Sequence, residues 1–190
     1  CYTAKVNTDD SVILGDKGNP NDVDFSNRVG ALYSLAYAVK SSYKAVSLQE
    51  EIHDFAVYPL EGIWTKINGD YLDKAKLEYT IMIRQPDFIS EEMVNKALGM
   101  VRIKKPNPLL EEIHFETMQN GLCVEVLHVG AFDDEPVSFE KMDQFSAAHG
   151  LRRSEDYHRE IYLSNANRVE KSKLKTILRY SVEQIPVGSV

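Results

Sequence analysis

Apolar residues in the first third of the chain recur at helical spacing. Val29, Leu32, Ala36 and Val39 keep three-to-four intervals, and Tyr33, Tyr37 and Tyr43 follow a second stripe. The turn cluster Asn19-Pro20-Asn21-Asp22 precedes them, and Asp24 or Ser26 is placed to cap the helix they predict. The period then falls to two. Leu77, Tyr79, Ile81 and Ile83 alternate with polar partners up to Arg84, and a second apolar run from Phe55 to Trp64 is interrupted by Pro59. Asn68-Gly69-Asp70 between these runs has turn chemistry, so they predict a strand pair. The segment before Asn19 has no clear period.

Ser90-Glu91-Glu92-Met93 opens a second helix, with a capping serine and the acidic first turn that the helix dipole favours. It runs to about Lys104 and stops before Pro106 and Pro108. The stretch from 104 to 109 is the best boundary between two halves of one domain, about 1–104 and 110–186. In the second half, strands are expected near 112–118 and 122–129, joined by a hairpin at Asn120-Gly121. An acidic loop from Gly130 to Pro136 follows. A helix from about Val137 to His149 buries Phe139, Met142 and Phe145 and ends at Gly150. A last strand runs from about Leu174 to Val182.

Between that helix and the last strand lies His158-Arg159-Glu160-Ile161-Tyr162-Leu163. Ile161 and Leu163 mark one face, and His158, Glu160 and Tyr162 the other. An acid between an imidazole and a phenol suits a cleft for something cationic or polarisable; an edge strand with its polar face in water is the plain alternative. The halves echo one another. Phe55-Ala56-Val57-Tyr58-Pro59-Leu60 resembles Arg159-Glu160-Ile161-Tyr162-Leu163 with Tyr58 set on Tyr162, and the Lys76-Leu77 step resembles Lys173-Leu174. Each half reads strand, helix, strand, strand, with a cleft expected at the seam. In this register Glu160 falls on Ala56, so the acid belongs to one half only.

A desolvated carboxylate among rings binds a cation through charge and cation–π contact, or serves as a general acid or base. Trp64, the single tryptophan, with Tyr58, Tyr162, Tyr33, Tyr37 and Phe132, supplies rings for such a site, and each has core packing as its plainer role. His128 ends a strand beside the acidic loop, where it bonds the loop or orients a ligand. The five histidines form no metal-ligand pattern, and no Cys-x-x-Cys, phosphate loop or dinucleotide motif occurs, so no metal and no cofactor are expected. Asp133-Asp134-Glu135 lacks calcium-loop spacing and reads as a solvated turn.

Composition narrows the partners. The 190 residues carry a formal charge of -7 with no long basic run, which argues against a nucleic-acid partner. No apolar run is long enough to span a bilayer and no signal peptide is visible. The two cysteines, Cys1 and Cys123, fit a reducing compartment, so a cytoplasmic location is expected. The first residue is not Met, so the natural start is expected to lie beyond it. No coiled-coil pattern or extended apolar stripe marks an oligomer interface.

Several of these motifs together resemble the GyrI-like small-molecule-binding family. They are His128-Val129-Gly130-Ala131-Phe132-Asp133-Asp134-Glu135-Pro136, His158 to Ser164, Lys173 to Arg179, and Pro59-Leu60-Glu61-Gly62-Ile63-Trp64. The resemblance covers the chain from about residue 20 onward. It implies an α+β fold of the GyrI-like, SOUL type: two strand–helix–strand–strand modules about a pseudo-twofold axis, antiparallel sheet, and a central ligand cleft. In relatives this module binds aromatic cations through a buried glutamate and an aromatic cage, and Glu160 matches that glutamate. A stand-alone subfamily hydrolyses the cyclopropane of DNA-alkylating cyclopropanoid antibiotics, and other relatives inhibit gyrase through protein contact. The chain departs from the family in having Gly130-Ala131-Phe132 where Gly-Pro-Tyr is common, which removes a phenol and keeps a ring.

Overall fold

In a computed structural model, residues 1–17, 22–46, 54–65 and 78–186 are described. The helical stripe of the first third forms α1 (Val23–Val46), whose Leu32, Leu35, Ala36 and Val39 are fully buried. They pack in one core with Ile81 and Ile83 of β3 (Glu78–Arg84) and Trp64 of β2 (Leu60–Thr65). α2 (Glu91–Lys104) joins the same core through Val94, Ala97, Leu98 and Val101. Ser90 caps it as the sequence predicts, its hydroxyl accepting the Met93 N–H.

The opening segment forms β1 (Tyr2–Lys17), which pairs with β3 on one side and with β4 (His114–Val129) on the other. The second module continues with α3 (Glu135–Ala148), a short β5 (Leu151–Arg153), β6 (Tyr157–Tyr162) and β7 (Lys175–Gln184). All pairings are antiparallel. They run β4-β1-β3-β2-β6-β7, return from β7 to β4, and carry β5 on the far end of β7. α3 covers a second core of Val124, Met142, Leu178, Tyr180 and Val182.

The pairing registers make the duplication explicit. Laying β3 on β7 with Glu78 over Lys175 turns the pair Ser11–Arg84 into Cys123–Ser181. The same operation carries β1 onto β4 over their full lengths and β2 onto β6 with Gly62 on Glu160 and Trp64 on Tyr162. The equivalence of Tyr58 with Tyr162, and hence of Ala56 with Glu160, is therefore corrected. Glu160 remains the asymmetric partner, but its counterpart is a glycine that also pairs with it across the seam.

Two further expectations change. Asn120-Gly121 does not turn a hairpin; it lies within β4, where Gly121 adopts φ 61°. β1 pairs with β4 from His114 to Glu125, on both sides of Asn120-Gly121, and those non-local hydrogen bonds keep the chain extended through a local turn signal. α3 begins at Glu135 rather than Val137, with Pro136 in its first turn, so Glu135 is buried in a helix start instead of solvated in a loop. The turn expected at Asn68-Gly69-Asp70 lies outside the described residues.

Strand alternation sorts the β2–β6 seam into two faces. On one, Arg159 donates to Glu61 at 2.6 Å and to Asn120 at 2.8 Å, while Arg179 pairs with Glu125. On the other lie Trp64, His158, Glu160 and Tyr162. Removing one member of a buried ion pair leaves an uncompensated charge. Arg159→Met is therefore expected to lower stability by about 3–5 kcal/mol, and Glu61→Met with Arg159→Met to cost less than Arg159→Met alone, in urea unfolding.

Candidate functional site

Glu160 sits on β6 at the seam between the two cores, 8% exposed. Such burial penalises a bare charge, and an imidazole stands against it. His158 Nε2 lies 2.8 Å from Glu160 Oε1. The Tyr162 hydroxyl and the side chain of Glu135, from the first turn of α3, stand close enough to the same carboxyl to be shifted by it. The Trp64 indole N–H donates to the Tyr162 oxygen at 2.8 Å, which ties the first module to the phenol beside Glu160.

Gly62 makes that bond possible. A Cβ there would stand 2.7 Å from Trp64 Nε1 and 3.1 Å from the Tyr162 oxygen, closer than unstrained contacts allow. The indole lies over the bare backbone and reaches across to the other module. Phe25 of α1 stacks on Trp64 at 6.1 Å, and Phe132 meets Tyr162 edge-on at 5.9 Å. Phe139 of α3 meets the His158 ring edge-on at 4.7 Å. Rings from both modules thus border two carboxyl groups.

Burial sets the protonation of the groups beside Glu160. Desolvation, with the neighbouring Glu160 charge second, pushes the Glu135 carboxyl up to about 9, so it holds its proton at neutral pH. Desolvation, again with Glu160 second, holds Tyr162 well above the ordinary phenol range, so it is a donor and never a phenolate here. A carboxyl kept protonated by burial is typical of sites that bind or transfer protons.

Of the residues singled out in the sequence, the structure brings Glu160, Trp64, Tyr162 and Phe132 together. His128 is buried close by, its two ring nitrogens engaged by the Ser138 hydroxyl at 2.9 Å and the Ala131 carbonyl at 3.0 Å, so it fastens the loop that carries Phe132. Tyr58 lies beneath the Arg84 guanidinium. Tyr33 and Tyr37 stack on each other and line a groove of about 600 Å³ between α1 and α2, with Met100, Lys96 and Lys104 on its other side. Sequence reasoning missed Glu135, Gly62, Phe25 and Phe139. For Glu135 a signal existed: Pro136 fits the first turn of a helix, which puts the preceding acid at the helix start.

Comparison with known proteins adds identity to this geometry. Residues 16–181 match the family described as GyrI-like small molecule binding domain. Among solved structures, a hydrolase from Listeria innocua is 31% identical, with a TM-score of 0.85 over 96% of this chain and 91% of that one. An uncharacterised conserved protein from Listeria innocua is 33% identical, with a TM-score of 0.87 and the same coverage. The C-terminal domain of EcmrR, 12% identical with a TM-score of 0.57 over 97% of each chain, shares the fold. No curated protein matches. Among the described residues no helix is long and apolar enough to cross a membrane.

Two outcomes follow from the packing and the protonation. Gly62→Ala should destabilise by about 1–3 kcal/mol and shift Trp64 fluorescence, because the new methyl displaces the indole. Glu135 has a folded pKa raised above its unfolded value, so its contribution is present at acid pH and is lost as pH rises through about 9. Urea midpoints of Glu135→Gln and the wild type should therefore diverge from pH 5 to pH 9, with the variant ahead by a few kcal/mol at the alkaline end.

Proposed function

The chain belongs to the GyrI-like small-molecule-binding family, and from that membership we propose that it binds aromatic, cationic small molecules at the seam between its modules, in xenobiotic sensing or sequestration. The observation that carries the reading is Glu160, a carboxyl buried between two modules and bordered by rings from both. In water a cation gains little from one carboxylate; in a desolvated site the attraction is several times larger. Trp64, Tyr162 and Phe132 offer π faces and edges to the ring of the ligand, and Glu160 supplies the counter-charge.

A second reading, hydrolysis, is favoured by the protonated Glu135 beside Glu160 and by the 31% identity to a protein described as a hydrolase. In that reading the substrate is a cyclopropanoid drug. Glu160 takes a proton from water as its oxygen adds to the ring carbon, the strained C–C bond opens toward the conjugated carbonyl, and the oxygen there gains a proton from the Tyr162 or Glu135 side.

Isothermal titration with an aromatic cation tests the first reading. Glu160→Gln should weaken binding by about 1–3 kcal/mol, and unchanged affinity contradicts the role of Glu160. Incubation with a cyclopropanoid drug, followed by mass spectrometry, separates the two: a product heavier by one water supports hydrolysis, and tight binding without product excludes it.

A further inference from the structure

The groove between α1 and α2 has a volume of about 600 Å³, within the range of small-molecule sites. The two helices run antiparallel: Arg28, near the start of α1, pairs with Glu112 beyond the end of α2, and Tyr43, near the end of α1, meets Phe88 just before α2. The space exists because α1 lines it with Gly30, Ser34, Ala38, Ser42 and Ala45, small side chains about one helical turn apart. Tyr37 borders this strip and is 60% exposed. It stacks on Tyr33 at 6.2 Å, and Tyr33 is held in turn by the Leu60 N–H, which donates to its hydroxyl at 3.2 Å. An anchored ring left open beside an apolar floor gains from being covered.

Charge indicates what covers it. Lys96, Lys104 and Lys105 border the groove from the α2 side, and no acidic residue lines it. None of the three lysines makes an ion pair among the described residues. Lys104 and Lys105 suit the negative end of the α2 dipole, but Lys96, in the middle of the helix, has no such reason to be there. In a chain of formal charge -7 they form a local positive rim. We propose that this groove is a second binding site, which takes small aromatic carboxylates with the ring against Tyr37 and the carboxylate toward the lysines. An amphipathic anion matches both parts of the lining, whereas an ammonium is repelled by the rim. The site lies on the first module and needs neither Glu160 nor Glu135.

Calorimetry at pH 7 and low salt tests this with 2-naphthoate and its uncharged counterpart, 2-naphthylmethanol. The wild type should bind the carboxylate about fivefold more tightly than the alcohol, since exposed charges contribute little singly and three share one rim. Lys96→Gln, Lys104→Gln and Lys105→Gln together, all at exposed positions, should erase that preference. Tyr37→Ala should weaken both probes about fivefold, and Glu160→Gln should leave both affinities unchanged. No binding of 2-naphthoate at millimolar concentration overturns the proposal. So does a preference that survives the triple substitution, undiminished affinity in Tyr37→Ala, or binding lost in Glu160→Gln. A wild type that sediments as a dimer and becomes a monomer on Ala38→Leu means that a second copy fills the groove, which overturns it too. None of these outcomes bears on the aromatic-cation reading of the seam, which has its own test.

Discussion

The seam between β2 and β6 places a glycine against a glutamate, and the site depends on that mismatch. Gly62 and Glu160 are both pseudo-equivalent and directly paired. The missing side chain at Gly62 gives the Trp64 indole a place to lie, and from there its N–H reaches the Tyr162 oxygen of the other module. The phenol stands beside Glu160, whose charge helps to hold its proton in place. A side chain at Gly62 would separate Trp64 from Tyr162, and with them the rings from the acid. A duplicated fold has thus acquired one unsymmetrical position, where a carboxyl is held on the axis by groups drawn from both halves.

Placing an acid there creates an electrostatic problem that the second acid makes worse. Glu135 enters from α3, and burial together with the Glu160 charge forces it to keep a proton. Glu135 therefore brings a protonated carboxyl, and no second charge, to the seam. Cation binding and acid–base chemistry would both draw on this arrangement.

Much of the fold is legible where the signal is local. The α1 stripe, the Ser90 cap, the alternation in β3 and the Gly150 helix stop are each set by residues within a turn or two. What escaped notice is set by partners distant in sequence. β1 carries Asn7-Thr8-Asp9-Asp10 in its middle, a poor strand composition, yet it has β3 and β4 on its two flanks. Asn120-Gly121 is a turn by local chemistry and a strand by pairing. The repeat was visible in the Lys-Leu steps, but its register followed a Tyr–Tyr coincidence until the ladders fixed it. Glu160 stood out because an acid in an apolar strand breaks a pattern, whereas Glu135, in an acidic run, broke none.

A crystal structure with 2-naphthylmethylammonium bound tests the central claim most directly. The account places the ammonium nitrogen within hydrogen-bond distance of Glu160, with the naphthalene against Trp64, Tyr162 and Phe132. The ligand lodged instead in the groove between α1 and α2, beside Tyr33 and Tyr37, with the Glu160 contacts to His158, Tyr162 and Glu135 undisturbed, would contradict it.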